Sequence, residues 1–295
     1  MIGFLRENAR WLGAGFALTF ASAFGQTWFI ALFAGEIREV HGLSNGQWGA
    51  LYTVATLASA ALLYLRGALA DTVPIEKLAP IVTLVFAASA LLLAFAPGVV
   101  ALGVALFGLR FCGQGMFGHI AMTAMGRWFR AQRGRAVSVA MLGQSVGEAV
   151  LPLPTILIAG ALGWRGAWVV AAVLLALGLA PLLTGLLRQG RLPRSQGEAG
   201  EEAPGLAGRH WTRSEAFRHW LLPALVPMML TPGFIGTVVY FHQVNISGVK
   251  GWSLAAMAAG YPVYAALAVA AAFGSGWLAD RVGPATLLPL SLIHI

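Results

Sequence analysis

The sequence predicts an all-α multi-pass membrane protein, and three observations carry that prediction. Hydrophobic residues make up 58% of the 295 and charged residues only 10%, against roughly a quarter charged in soluble domains. The apolar residues fall into runs long enough to cross a hydrocarbon core of about 30 Å as helices. An octapeptide that closes one run, Gly-Trp-Leu-Ala-Asp-Arg-Val-Gly at 276–283, returns in degenerate form as Gly-Ala-Leu-Ala-Asp-Thr-Val-Pro at 67–74. Strands are excluded, because no alternation of period two persists over these lengths.

Residues 1–10 carry Arg6 and Arg10 and lead into an apolar run at 11–34. A basic start followed by Ala21-Ser22-Ala23 also fits a cleavable leader. The run continues past Ala23 and further runs follow, so it reads as a first span. Runs at 47–70, 78–96, 98–120, 137–160, 164–187, 219–242 and 252–276 complete eight expected transmembrane helices, and 287–295 would begin a ninth. The longest loop is polar and rich in Arg, Glu, Gly and Pro, as a linker between bundles should be. The expected organisation is a six-helix bundle over 1–188, a cytoplasmic linker over 189–218 and a partial second bundle over 219–295.

Orientation follows from the basic residues. With the N-terminus inside, cytoplasmic segments hold 15 Lys or Arg residues and the outer side holds only Arg38, Arg165 and Lys250. That asymmetry is the positive-inside pattern. The net charge of +8 is therefore spent on topology, scattered in short stretches between spans, and gives no basic face for nucleic acid. Arg outnumbers Lys 17 to 2, a bias of GC-rich genomes that points to a bacterial inner membrane. The single cysteine, Cys112, excludes an internal disulfide and any cysteine-based metal site.

The interval between the two octapeptides is 209 residues, and it holds along the chain without a gap. Trp11 maps to Trp220, Gly42 to Gly251, Ser44 to Ser253 and Tyr52 to Tyr261. Gly67, Leu69, Ala70, Asp71 and Val73 map to Gly276, Leu278, Ala279, Asp280 and Val282. Spans one and two thus return as seven and eight in the same direction, a parallel repeat of six-helix units.

These features together resemble the major facilitator superfamily of secondary transporters. The resemblance rests on the loop signature at 276–283, its copy at 67–74, the repeat and the linker. Arg110 with Gly-Gln-Gly at 113–115, the basic loop at 126–136 and Gly163-Trp164-Arg165 add to it. It implies two pseudo-symmetric bundles that rock about a central site, with Gly67, Asp71, Gly276, Asp280, Arg281 and Gly283 in gating loops. The first loop departs from the family pattern at Thr72, Pro74, Ile75 and Glu76, which puts a charge relay there in doubt. Antiporters of the family carry Gly-x-x-x-Gly-Pro in the fifth helix. Here Gly143 and Gly147 precede Glu148, which weakens an antiporter reading. A complete second half would bring the chain to roughly 400 residues. A C-terminal truncation is expected, and the last residues, Leu-Ser-Leu-Ile-His-Ile, resemble translated adaptor sequence and are not expected to be native.

The chemistry should lie with the charges inside spans. Arg110 is about 18 Å from the outer end of the fourth run and Glu148 about 17 Å along the fifth, both near midplane. An arginine against lipid there costs about 2.5–3.5 kcal/mol or more, so Arg110 should face a cavity or a partner. Pro152 cannot donate to the carbonyl of Glu148 and should open the fifth helix beside it. One expectation is that Glu148 takes up a proton while Arg110 alternates between Glu148 and an anionic substrate, gripped by two parallel hydrogen bonds. The plainer alternative is a permanent Arg110–Glu148 pair that only holds two helices together. Gln26, Trp28, Gln114 and Gln144 are candidate cavity residues, and Tyr52 and Tyr261 should occupy equivalent places in the two halves. His119 reads as a helix-contact histidine, and Tyr240 and His242 as interfacial anchors. Pro223, Pro227, Pro232 and Gly233 make the seventh span the expected hinge. The glycines at 103, 108, 113, 115 and 118 suit close helix packing.

An enzyme would need a nucleophile–base pair or a metal cluster, and the six histidines are scattered without metal-ligand spacing. The expected function is proton-coupled uptake of a small organic anion, without cofactor or metal, by a protein whose partners are the solute, the proton and the bilayer. Export of an amphipathic compound, a non-transporting receptor or scaffold, and an inactive fragment are the alternatives.

Overall fold

The computed structural model describes residues 2–67, 69–129, 132–189 and 213–282, and every regular element among them is helical. Five helices are long and apolar enough to cross a membrane: Asn45–Arg66, Ile75–Ala94, Val99–Trp128, Pro152–Leu187 and Leu254–Ala271. A sixth forms when Ala9–Gly25 and Thr27–His41, bent by 42° at their junction, are taken as one broken span. The chain is therefore an all-α, multi-pass membrane protein.

The division into spans differs from the sequence reading in the fifth and sixth runs. One helix, Arg133–Val150, ends at Leu151, and Pro152 opens the next. The proline has no N–H to offer the carbonyl of Glu148, so the ladder stops there. Arg133, Arg135 and Glu148 also fall within the 18 residues of the first piece, which weakens it as a span by composition. The second piece continues to Leu187, but Gly163 stands at φ 74° and turns the chain between the two runs. A side chain would be strained in that left-handed conformation.

The break expected in the seventh span lies instead in the first. Leu221–Phe241 is one continuous helix despite three prolines. Each proline removes a single backbone bond, and the Thr231 hydroxyl donates to the Pro227 carbonyl at 2.7 Å. The first span is interrupted at Gln26, whose backbone is extended at φ −78°, ψ 151°.

Around that break the packing is close. Gly143 and Gly147 let Arg133–Val150 press onto Ala9–Ala21; a methyl at Gly143 would meet the Phe16 carbonyl, the Thr19 hydroxyl and the Phe20 nitrogen. The Thr19 hydroxyl donates across this contact to the Ala140 carbonyl. Beyond the break, Phe29 and Phe33 stand edge-on to Trp168, 5.4 and 5.8 Å between centroids.

The 209-residue interval is visible in three dimensions at the turns that follow spans one and seven. Gly42 caps Ala34–His41 at φ 63°, ψ 33°, and Gly251 caps Gln243–Lys250 at φ 67°, ψ 23°. At the first turn Gly42 N–H donates to Glu39 O at 3.3 Å and Leu43 N–H to Arg38 O at 2.9 Å. At the second, Gly251 donates to Gly248 O at 3.3 Å and Trp252 to Ser247 O at 2.9 Å. Both are the paired bonds of a Schellman cap. Ser44 and Ser253 then open the next helices, accepting from Gln47 N–H at 3.2 Å and Ala256 N–H at 3.1 Å.

The loop motif has two settings. Its first copy is fastened through backbone carbonyls: His119 Nε2 lies 2.8 Å from Gly67 O, and Arg127 Nη1 donates to Ala70 O at 3.4 Å. Asp71 falls in the short helix Leu69–Thr72. Gly276, Asp280 and Arg281 fall in the helix Gly260–Val282. Gly283 lies outside the described residues, as do most of the expected linker and the expected start of a ninth helix.

Candidate substrate site

At the break in the first span two glycines meet. A methyl added to Gly25 would sit 2.7 Å from the Gly113 Cα, and one added to Gly113 would sit 2.7 Å from the Gly25 Cα and 2.5 Å from Phe86 Cζ. Only a glycine pair lets the first and fourth spans cross backbone to backbone here. In the fourth span the helix widens to π form over Arg110–Phe117. Such bulges re-aim side chains, and they concentrate at functional sites.

Arg110 opens that widened segment and is 4% exposed. Its Nη1 donates to the Gly25 carbonyl at 3.1 Å and its Nε to Thr56 Oγ1 at 3.3 Å. Its guanidinium carbon lies 5.3 Å from the centre of the Tyr52 ring. The Tyr52 O–H donates to Thr27 Oγ1 at 3.1 Å. Every one of these partners is neutral. Dipoles and a ring face hold the cation in place, and no carboxylate among the described residues neutralises it.

Gly25 is available to Arg110 because the helix has let it go. In a regular helix the Phe29 N–H would bond to Gly25 O. Here Phe29 donates to Gln26 O at 3.2 Å, and Ile30 donates to the same oxygen at 3.1 Å. One carbonyl serves two amides, which leaves its neighbour for the guanidinium.

Glu148 has a different partner from the expected one. Its Oε1 accepts from the Tyr240 O–H, and the Arg110–Glu148 pair anticipated from the sequence is not made. Tyr240 stacks on Tyr261, 5.8 Å between centroids and 13° between planes, with Tyr264 edge-on at 6.2 Å. The Tyr261 O–H donates to Gln243 Oε1 at 2.7 Å, and Gln243 Nε2 donates to the Trp28 carbonyl at 2.6 Å. The Trp28 ring lies 5.6 Å from that of Tyr261. Two clusters therefore attach to one short segment: Arg110 holds Gly25, and Gln243 holds Trp28.

Of the residues singled out in the sequence, Arg110, Tyr52, Tyr261 and Trp28 are buried in these clusters, and Glu148 and Gln26 are half-buried at their edges. Gln144 is half-buried one turn before Glu148, whereas Gln114 is exposed within the widened segment and takes no part. Tyr52 and Tyr261 are both buried and hydrogen-bonded, as repeat-related residues, though to different partners. Tyr240, expected as an interfacial anchor, is a hydrogen-bond partner of Glu148.

Sequence reasoning missed Thr27, Thr56 and Gln243. Thr56 follows Tyr52 by four residues, a spacing that puts both on one helix face and would have flagged it. Gln243 stood just past the end of an apolar run and read as loop, because the helix Gln243–Lys250 that extends the span is polar.

Two comparisons bear on this arrangement. The family model for the Major Facilitator Superfamily matches residues 15–295. Among curated proteins, the probable sulfoacetate transporter SauU of Cupriavidus necator is 31% identical over 142 residues, 48% of this chain and 33% of that protein. The matched stretch thus spans about a third of the length of that relative.

Proposed function

Since the chain belongs to the major facilitator superfamily, we propose that it takes up a small organic anion together with a proton, by rocking of two six-helix bundles. In this reading the N-terminus is cytoplasmic, the membrane is a bacterial inner membrane and the sequence provides eight spans. Residues 189–218 link the bundles, and the loops around Gly67, Asp71, Gly276, Asp280, Arg281 and Gly283 act as gates on the inner side.

One observation carries the choice of an anion. Arg110 is buried at mid-span with neutral partners. A buried charge without a counter-charge is expensive, and it becomes favourable when a ligand supplies the opposite sign with matching hydrogen bonds. A guanidinium fork suits the oxygens of a carboxylate or sulfonate. The partial likeness to a probable sulfoacetate transporter is in keeping with that class, since sulfoacetate bears both groups. Glu148, half-buried and bonded to the ring cluster, is the proposed proton acceptor. Tyr52, Gln26, Gln144 and Tyr261 line the path between the two charges.

The test is uptake of radiolabelled sulfoacetate and related small sulfonates and carboxylates into proteoliposomes, with and without a proton gradient. Uptake should collapse with a protonophore. Arg110→Ala should weaken it about 10- to 100-fold in apparent affinity, the equivalent of about 1.5–3 kcal/mol for hydrogen bonds to a charged group. Normal anion transport by Arg110→Ala would end the proposal.

A further inference from the structure

The two clusters grip the break in the first span from opposite repeats, and this suggests a role for a residue that the sequence did not single out. Gln243 is 0% exposed, an amide buried among aromatic rings. Its Nε2 reaches a backbone carbonyl 215 residues away in the chain, at 2.6 Å, and its Oε1 is held in place by the Tyr261 hydroxyl at 2.7 Å. Its target, Trp28 O, lies three residues beyond Gly25, whose carbonyl Arg110 takes from the other side.

We propose that Gln243 is a positioning residue of the transport site: together with Arg110 it holds the first span broken at Gln26. The argument is an exchange of hydrogen bonds. Gln26 O accepts from both Phe29 and Ile30, so the Phe29 N–H can move to Gly25 O without stranding any group once Arg110 releases that carbonyl. Nothing local enforces the break, since Gln26 is neither proline nor glycine and Phe29 and Ile30 both follow it in helical conformation. The extended conformation of Gln26 is kept by the two clamps.

The proposal rests on reading Arg110 as the anion site, and it adds a consequence. An anion on the guanidinium competes with Gly25 O and loosens one clamp, while the other, carried by the C-terminal half, decides whether the span straightens. Ligand occupancy in one repeat is thereby transmitted to the tie between repeats.

Straightening can be read without any ligand. Spin labels on E7C and E39C, both at exposed positions near the two ends of the span, in a Cys112→Ala background of the full chain in nanodiscs, report its length by electron–electron resonance. Relieving the 42° bend adds up to about 3 Å to that distance, at about 1.5 Å of rise per residue, and returning Gln26 from extended to helical rise removes about 2 Å, a net lengthening of about 1 Å. Arg110→Leu and Gln243→Leu should each shift the distribution towards the longer distance, and the double variant should shift it furthest. Ser138→Ala, which removes an exposed hydroxyl bonded to the Gly134 carbonyl and touches neither clamp, should stay at the parental distance. Parental distances in both Arg110→Leu and Gln243→Leu would overturn the proposal. Loss of anion uptake in Arg110→Ala with an unchanged bend would spare the transport reading and sink only this one. Straightening in a protein that moves no anion would do the reverse.

Discussion

A guanidinium buried against a carbonyl, a hydroxyl and a ring face is stable only because each neighbour offers electron density without carrying a charge. Arg110 is held this way by Gly25, Thr56 and Tyr52. Glu148 is in the complementary position, a carboxylate whose described side-chain donor is the Tyr240 phenol, with Tyr261 and Tyr264 packed around that phenol. Glu148→Gln keeps an acceptor for Tyr240 but cannot take up a proton. Uptake by this variant should persist while losing its dependence on external pH, measured as initial rate against pH in proteoliposomes; a profile matching the parent would remove Glu148 as the coupling group. The sequence led to the expectation that both charges lie near midplane. Who pairs with whom was hidden, because helix rotation depends on the π segment at Arg110–Phe117 and the stop at Leu151. Only the second of these has a local signature, Pro152.

At the scale of elements, glycines decide which helices touch. The sequence showed a glycine-rich fourth span and implied close packing, but it gave no way to rank the positions. In the structure Gly113 faces Gly25 and Phe86, whereas Gly118 has nothing within 4 Å of where a Cβ would lie. Gly113→Ala should therefore cost about 1–3 kcal/mol as overpacking and lower the thermal unfolding midpoint in detergent. Gly118→Ala should leave that midpoint in place. Equal midpoints for the two variants would contradict the crossing described for spans one and four. The misplaced break has the same origin. Prolines in the seventh span were a local signal that a continuous helix absorbed, while the break at Gln26 comes from tertiary contacts that no local signal announces.

For the whole molecule, composition and the 209-residue repeat revealed the class of protein, since neither depends on side-chain detail. The number of spans was less legible, because length and hydropathy alone do not register a proline stop or a turn at Gly163. Orientation remains open to direct test. In right-side-out vesicles of the full chain, a cysteine at Glu39 should react with an impermeant maleimide, and one at Glu76 should react only after the membrane is opened; both positions are exposed. The opposite pattern would invert the proposed topology.

The twin turns at Gly42 and Gly251 have a bearing on how such a chain is assembled. Each reverses the backbone with the same pair of bonds, at 3.3 and 2.9 Å, and hands it to a serine that starts the next helix. Their side chains share little else: Arg38 and Glu39 at one turn stand where Ser247 and Gly248 stand at the other. The geometry belongs to the backbone and to a glycine and a serine two residues apart. The turn is thus a standard fitting, used twice, and the chemistry that distinguishes the two halves is free to vary around it.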